Sequence, residues 1–443
     1  MALITKSVKG TADILPKESF KLRFVEKILL DIAKQYGFNE IRTPVFEHTE
    51  LFARGIGDDT DVVQKEMYTF NDKGGRSITL KPEGTAGTLR SVLEHGLHND
   101  ALPLKVSYIT SCYRYEKPQA GRLREFHQFG VEMLGSDSPS ADALVISLGF
   151  DILKAFKIKN ISLEINNIGC HDCRKNYFDA LKKFFNDNTN DLCSTCKARM
   201  NRNPMRILDC KNNSCSEIAK SAPIVLDYIC DSCNEHFESV KTYLNHATIK
   251  YSVNPAIVRG LDYYTKTVFE FVSGDIGAKA TVCGGGRYDG LIKELGGPAL
   301  SALGFGLGIE RLMLVLEHNN FDFDSIKPPP VDIYIASLGE KASLKAFELL
   351  NLYKNHGLNI EIDLMNRSLK SGMKYADKIN ANFTLILGDN ELEKGTAVLK
   401  NMKNSKNTEI DLNDEKTVLK LIDRAFLDNL DFEALESNSG SEN

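Results

Sequence analysis

The 443-residue chain has no apolar run near the ~20 residues that a membrane-spanning helix needs. Its start, Met1-Ala2-Leu3-Ile4-Thr5-Lys6, lacks the apolar stretch of a secretory signal, so the cytosol is the expected compartment. Positive charge is not in excess: 55 Lys and Arg face 60 Asp and Glu, for a net charge of -5. That excludes a generally basic coat for nucleic acid, though not a local basic patch. No Gly-x-x-x-x-Gly-Lys-Ser/Thr loop is present, which argues against a P-loop nucleotidase. Gly304-Phe305-Gly306-Leu307-Gly308 departs from Gly-x-Gly-x-x-Gly, which argues against a dinucleotide fold. No Ser or Cys sits in a nucleophile elbow, and no fixed-period repeat occurs.

What the chain has is length and a distinctive set of cysteines. At ~100–200 residues per domain, two to four domains are expected. With 42% hydrophobic and 26% charged residues, a sizeable core can form without staples. Eight of the ten cysteines fall between Cys170 and Cys233. In a chain without a leader, reduced thiols or a metal are expected rather than bridges. Cys193-x-x-Cys196 and Cys230-x-x-Cys233 are two knuckles separated by residues 197–229, with Cys210 and Cys215 between them. Zinc on Cys193, Cys196, Cys230 and Cys233 would pin a segment with little core of its own. The gap is longer than in ordinary zinc ribbons, so structural zinc and reduced thiols both stay open. Cys170 and Cys173 read as strand-end packing, and Cys112 and Cys283 as core.

Along the chain, Phe20, Phe24, Val25, Ile28, Leu29 and Ile32 recur at helical spacing up to a stop at Gly37. Residues 106–115 and 126–134 are rich in strand formers. The stretch between them, with Lys117, Pro118, Gly121, Arg122 and Arg124, predicts a long hairpin with a basic tip. A helix is predicted over 142–156. The polar, Cys-rich stretch 166–250 reads as an inserted subdomain that divides a first body into 1–165 and 251–326. Strands return at 265–272 and 280–283, followed by Gly284-Gly285-Gly286, and a helix starts near Ile309. Pro328-Pro329-Pro330 marks a stiff linker to a small α/β body over 331–430, and 431–443 reads as a frayed acidic tail.

Strand alternation puts Phe126, Gln128, Gly130 and Glu132 on one face, with Gly130 leaving room for a ligand, and Thr110, Cys112, Arg114 and Glu116 on one face of the partner. If the faces agree, Arg114 suits a phosphate while Gln128 and Glu132 suit N–H donors; a solvated polar face is the alternative. Glu83-Gly84-Thr85 lies in a Pro/Gly turn, where Thr85 could cap a helix from Ala86. Arg259 stands beside Gly260 and the pair Tyr263-Tyr264, either at a site or in an exposed loop. Arg311 falls in the first turn of an apolar helix, where a cation is disfavoured unless it meets an anion or a carboxylate.

Together these segments resemble the class II aminoacyl-tRNA synthetases, and closely the histidyl-tRNA synthetase family. Lys9-Gly10-Thr11-Ala12-Asp13 begins the match. Arg42-Thr43-Pro44-Val45-Phe46-Glu47 is similar to the class II dimer motif. Tyr113-Arg114-Tyr115-Glu116 with Phe126–Glu132 is similar to the second class motif, and Gly304–Arg311 to the third. Arg259–Tyr264 and Gly284–Gly290 are similar to the two signatures peculiar to the histidine family. The resemblance covers nearly the whole chain. It implies an α+β protein: an antiparallel-sheet catalytic domain carrying the insertion, and a small C-terminal α/β anticodon-binding domain. It implies ATP-dependent attachment of L-histidine to tRNA(His) through histidyl-adenylate, with Mg²⁺, by a homodimer. Arg114, Glu116, Phe126 and Arg311 would hold ATP. Glu83, Gly84, Thr85, Gln128, Glu132, Tyr263 and Tyr264 would hold histidine, and Arg259 would act with Arg114 at the reacting carboxylate and α-phosphate. Regulatory relatives that keep this fold without catalysis typically lose the reactive arginines and the C-terminal domain; both are present here.

Overall fold

The computed structural model describes residues 4–57, 60, 62–210, 212–259, 263–275, 280–326, 328 and 330–427. The tail at 431–443, and Gly260, Leu261 and Asp262 of the Arg259 motif, lie outside the described residues. The chain divides into two compact units, the first ending at Phe323 and the second beginning at Asp324.

The first unit is built on an eight-stranded sheet. In spatial order its strands are Asn39–Glu40, Leu104–Tyr113, Glu125–Leu134, Ala302–Gly308, Ala280–Arg287, Thr265–Ser273, Ile161–Asn167 and Ser252–Val253. The six central strands pair antiparallel, and the two-residue outer strands pair parallel. The long hairpin forms where the strand formers predict it. Its register sets Tyr108 opposite Gly130, Thr110 opposite Gln128 and Cys112 opposite Phe126, so the two predicted faces are one face.

Gly284, Gly285 and Gly286 lie inside a strand, not after its end as the glycine run predicts. Strands normally disfavour glycine, but here the backbone must pass close to its neighbours. A Cβ on Gly285 would overlap the Gly304 carbonyl, and one on Gly286 the Thr267 carbonyl.

Helices Pro16–Gln35, Pro139–Ala155 and Ile309–His318 belong to this unit. Pro16 opens the first at a position that needs no N–H donor, and Gly37, at φ +82°, follows its end. Phe46–His48, Ser77–Leu80 and Tyr68–Asn71 form a small three-stranded sheet.

The insertion carries helices His171–Asp187, Ser194–Arg202, Asn213–Ala219 and Asp231–His246. It has more core than its polar composition suggests. Tyr177, Leu181, Phe185, Ile207 and Val225 are buried in one cluster with Tyr263, Tyr264 and Tyr288 of the sheet body. At its base His236 reaches Asp142 at 3.2 Å, and Asp142 also takes the fully buried Arg287. Burial alone would raise the Asp142 carboxyl; His236 and Arg287 together hold it below its ordinary value.

In the second unit, strands Ile360–Ile362, Ile333–Ser337 and Phe383–Leu387 run parallel, and Thr396–Asn401 and Asn407–Asp411 continue the sheet antiparallel. Helices Glu340–Lys354, Leu369–Lys378, Asp389–Lys394 and Glu415–Leu427 complete the unit. Strand Asn407–Asp411 is not evident in the sequence, because Asn, Thr, Glu and Asp give no apolar alternation. Among the described residues no helix is long and apolar enough to cross a membrane.

Candidate active site

A cavity of about 270 Å³ opens on the face that bears Gln128. Arg114, Glu116, Phe126, Gln128, Arg259 and Arg311, six of the predicted residues, line it. Arg114 donates from Nε to the Pro82 carbonyl at 2.8 Å and lies 5.4 Å from the Phe126 ring centre. Its fork is thereby aimed while its second edge stays available. Glu116 lies 3.9 Å from Arg114 and 3.4 Å from Arg122. Arg311 is held by a 2.6 Å bond to the Thr281 carbonyl. Its neighbour Glu310 is not its partner: both Glu310 oxygens accept the His127 backbone N–H, at 2.9 and 3.0 Å.

Arg259 is not in an exposed loop. It is mostly buried and ion-paired with Glu270, whose second oxygen accepts the Thr281 hydroxyl at 2.6 Å. The Arg259 Nε is buried with no hydrogen-bond partner among the described residues. An unmade bond to a charged donor is costly, so this atom suits an anionic ligand. Glu270 is a residue that sequence reasoning missed; one carboxylate in an alternating strand gives no signal of its own.

Glu83, Glu132 and several tyrosines form a buried cluster. Glu132 accepts the Tyr108 hydroxyl at 2.9 Å and the Tyr288 hydroxyl. Burial pushes its carboxyl up to about 8, although the tyrosine donors oppose the shift. Glu83 is buried; its oxygens accept the backbone N–H groups of Thr85 at 2.6 Å and Ala86 at 2.9 Å. Glu83 therefore caps the helix Thr85–Glu94, correcting the expectation that Thr85 caps one starting at Ala86; the residue at the capping position itself, Gly84, has no side chain to do so. Burial raises the Glu83 carboxyl, against the pull of those two N–H groups. The Gly84 N–H donates to Gln128 Oε1 at 2.9 Å, which fixes that amide. The Tyr263 and Tyr264 rings lie 4.6 Å apart at a 45° tilt, with Tyr288 edge-on to Tyr263 at 5.4 Å and Arg259 5.6 Å from the centre of Tyr264.

Glycines make this packing fit. A Cβ on Gly304 would overlap the Glu132 carboxylate, one on Gly306 the Gln128 amide, and one on Gly284 the Arg259 guanidinium. Gly130 and Gly84 both abut the Tyr108 ring. The space at Gly130 was expected to admit a ligand; Tyr108 fills it instead. A signal for Tyr108 was present, since it directly faces Gly130 in the hairpin register.

The thiols sort differently from the predicted set of Cys193, Cys196, Cys230 and Cys233. Cys193 and Cys196 gather with Cys210 and Cys215, and Cys230 and Cys233 with Cys170 and Cys173. Cys170 and Cys173 are thus not strand-end packing; they open the helix His171–Asp187. Cys112 and Cys283 are buried in the sheet, as expected of core residues.

A family model described as Histidyl-tRNA synthetase matches residues 10–312, and one described as Anticodon binding domain matches residues 332–421. The chain belongs to the histidyl-tRNA synthetase family. A relative named Histidine--tRNA ligase from Clostridium novyi (strain NT) is 55% identical over 94% of this chain and 98% of its own length. One of the same name from Clostridioides difficile (strain 630) is 50% identical over 93% of this chain and 97% of its own. The crystal structure of apo S. aureus histidyl-tRNA synthetase superposes with a TM-score of 0.79 at 40% identity, covering 93% of this chain and 98% of that one. Family membership accords with the fold: an antiparallel-sheet body with an α/β domain after it.

Proposed function

We propose that the protein is a histidine–tRNA ligase of protein biosynthesis, working in the cytoplasm. ATP and L-histidine give histidyl-adenylate and diphosphate; the adenylate and tRNA(His) then give histidyl-tRNA(His) and AMP. One observation carries the reading within this family: Glu132, buried among tyrosines, shares a strand face with Gln128 of an arginine-lined cavity.

Imidazole enters beside Glu132, Tyr263 and Tyr264. A carboxyl already satisfied by two tyrosine hydroxyls keeps lone pairs for a third partner and rejects a side chain that brings none. Glu83, Thr85 and Gln128 take the α-ammonium end, next to the Gly84 backbone. Phe126 stacks on adenine, and Arg311 binds the far side of the nucleotide near Glu116. In the first step a histidine carboxylate oxygen attacks the α-phosphorus and diphosphate leaves. The step brings two anions together, and charge spreads over the phosphorus oxygens. Arg114 and the unpartnered edge of Arg259 offset that charge without being loaded or reorganised. In the second step a terminal ribose hydroxyl of the tRNA attacks the acyl carbon and AMP leaves. Glu116 and Glu310 are the carboxylates that line the cavity, and would meet Mg²⁺ carried by ATP. When bound, that ion neutralises phosphate charge.

The unit from Asp324 would take the anticodon. Lys370, Lys374 and Lys378 are all exposed on the helix Leu369–Lys378, beside exposed Leu364 and Met365. The segment Arg42–Glu47 would form a two-fold homodimer interface. Val45 is exposed there, and exposed Phe46 and Phe70 line a cavity of about 1190 Å³.

The deciding experiment is ATP–pyrophosphate exchange with each of the twenty amino acids: exchange with histidine alone supports the reading, and exchange with another amino acid but not histidine refutes it. For the assembly, sedimentation should give a dimer that Phe46→Asp dissociates; a wild-type monomer of 49.4 kDa at micromolar concentration refutes the interface.

A further inference from the structure

Eight of the cysteines differ from ordinary core thiols in how they are placed. Cys112 and Cys283 are dispersed in the sheet, as small hydrophobes should be. The other eight form two quartets, and within each quartet all four sulfurs lie within 4.8 Å of one another. All ten cysteines are free, so no bridge accounts for the clustering. We propose that the insertion holds two Zn²⁺ ions, one bound by Cys170, Cys173, Cys230 and Cys233, the other by Cys193, Cys196, Cys210 and Cys215.

The first argument is distance. Zn–S bonds of ~2.3 Å in a tetrahedron place neighbouring sulfurs ~3.8 Å apart. The separations are 3.5 Å for Cys170–Cys173, 3.9 Å for Cys173–Cys233 and 4.0 Å for Cys193–Cys210. Each quartet is therefore already at the spacing one ion requires.

The second argument is local structure. Three of the four ligand pairs are C-x-x-C, and in each the first cysteine stands at the position just before a helix: Cys170 before His171–Asp187, Cys193 before Ser194–Arg202, and Cys230 before Asp231–His246. Such a spacing turns both sulfurs toward one point, at the helix end where the dipole favours an anion. The fourth pair, Cys210 and Cys215, comes from the turn after Pro204–Ile207 and from the helix Asn213–Ala219.

The third argument is the hydrogen bonding around the sulfurs. The Cys230 N–H donates to Cys173 Sγ at 3.1 Å, and the Cys193 N–H donates to Cys215 Sγ at 3.2 Å. The same device recurs in both quartets: the amide of a cysteine just before a helix supports the sulfur of a cysteine from another segment. Metal-bound thiolates call for such supporting donors. In each quartet two sulfurs belong to buried residues, Cys173 with Cys233 and Cys196 with Cys215, as in a closed structural site. Four soft thiolates in a tetrahedron select zinc over Mg²⁺ or Ca²⁺.

The two ions would do different jobs. The first joins the starts of the two helices at the root of the insertion, where Asn167, the last residue of a sheet strand, donates to the Cys233 carbonyl at 2.7 Å. The second lies farther along the insertion and joins only its own short helices.

The test uses the full chain, grown in zinc-supplemented medium and gel-filtered. Elemental analysis should find two zinc ions per chain, released stoichiometrically when a mercurial titrates the thiols in the presence of a colorimetric zinc chelator. Cys173→Ser and Cys215→Ser should each retain one ion, and the double variant none. Where a variant aggregates, exchange of the wild type with Co²⁺ replaces it: absorption of tetrahedral tetrathiolate cobalt should saturate at two equivalents. Metal-free protein with freely reactive thiols overturns the proposal. So does a wild type that holds a single ion which either variant loses entirely, cobalt saturation at one equivalent, or iron in place of zinc.

Discussion

In the pocket, Glu132 lies across Gly304, Gln128 across Gly306 and Arg259 across Gly284, each against a strand of the same sheet. In the insertion, Cys173 meets Cys233 from 60 residues away, and Cys193 meets Cys215 across a chain of short helices and turns. Glu132 and Gln128 are placed by strand register, in which one residue's position fixes its neighbours', and Arg259 is set against a strand of the same sheet. The sulfurs of the insertion have no such lattice, and a shared ion would supply the geometry that register supplies elsewhere. Changes in the pocket should therefore alter chemistry with the fold intact, whereas changes at the thiols should act first on the fold.

Arg259→His gives the largest expected effect. Losing one charged stabiliser from an enclosed site costs ~10²–10³ in rate, read as pyrophosphate exchange. Transfer from preformed histidyl-adenylate should fall less, because the phosphate charge is by then already neutralised. Equal losses in both steps would mean general misfolding and erase the contrast between the regions.

Glu132→Gln should raise the KM for histidine by ~10–10² while circular dichroism stays unchanged, in line with one unsatisfied buried partner at ~1–3 kcal/mol. An unchanged KM would move imidazole recognition elsewhere.

Cys196→Ser and Cys233→Ser divide the insertion itself. Both should lower the melting temperature. Cys233→Ser should also lower exchange, by roughly tenfold through misplacement of nearby catalytic groups. The route runs through Asn167 to its neighbour Asn166, whose amide holds the Ile257 carbonyl two residues before Arg259. Cys196 meets the site only through apolar packing and not through hydrogen bonds, and an equal loss of exchange in both variants would refute the distinction.

The last effect is a slope in stability and not a loss of activity. Glu132 in the folded protein holds its proton up to about 8, against an ordinary value of 4.5. Between those values the folded state binds more protons than the unfolded one, so this group's contribution to stability falls as pH rises through the window. It can add at most ~1.4 kcal/mol per pH unit. Denaturant titrations from pH 5 to 8 should show that slope flattened in Glu132→Gln; an identical slope would assign it to Glu83 or other groups.

The same contrast explains what the sequence disclosed. The hairpin and the grouping of Arg114, Phe126, Gln128 and Glu132 are legible because alternation in a strand is local and the register of a hairpin follows from it. Arg259 reaches that cavity from beyond the insertion, and its motif alone does not distinguish a site from a loop; the family resemblance does. The thiol partners are not legible, because C-x-x-C spacing fixes which two sulfurs converge, not which pairs meet in space. The glycine run 284–286 reads as a break in the strand because a close approach to the Gly304 and Thr267 carbonyls is a property of neighbours, invisible in the run itself.

Arg287 gives a practical rule for dissecting the molecule. Its guanidinium shares Asp142 with His236, a residue of the last helix of the insertion. Excising 166–250 as a cassette would take away His236 and leave Arg287 to hold the buried carboxylate alone, so that boundary cuts through an ionic cluster. A truncation that keeps His171–Asp187 and Asp231–His246 and replaces only residues 188–229 by a short loop leaves the cluster whole, along with all four sulfurs at the root. That middle still gives Ile207 and Val225 to the core shared with the sheet body, so a grafted loop has to replace these apolar anchors as well as spare the ionic cluster.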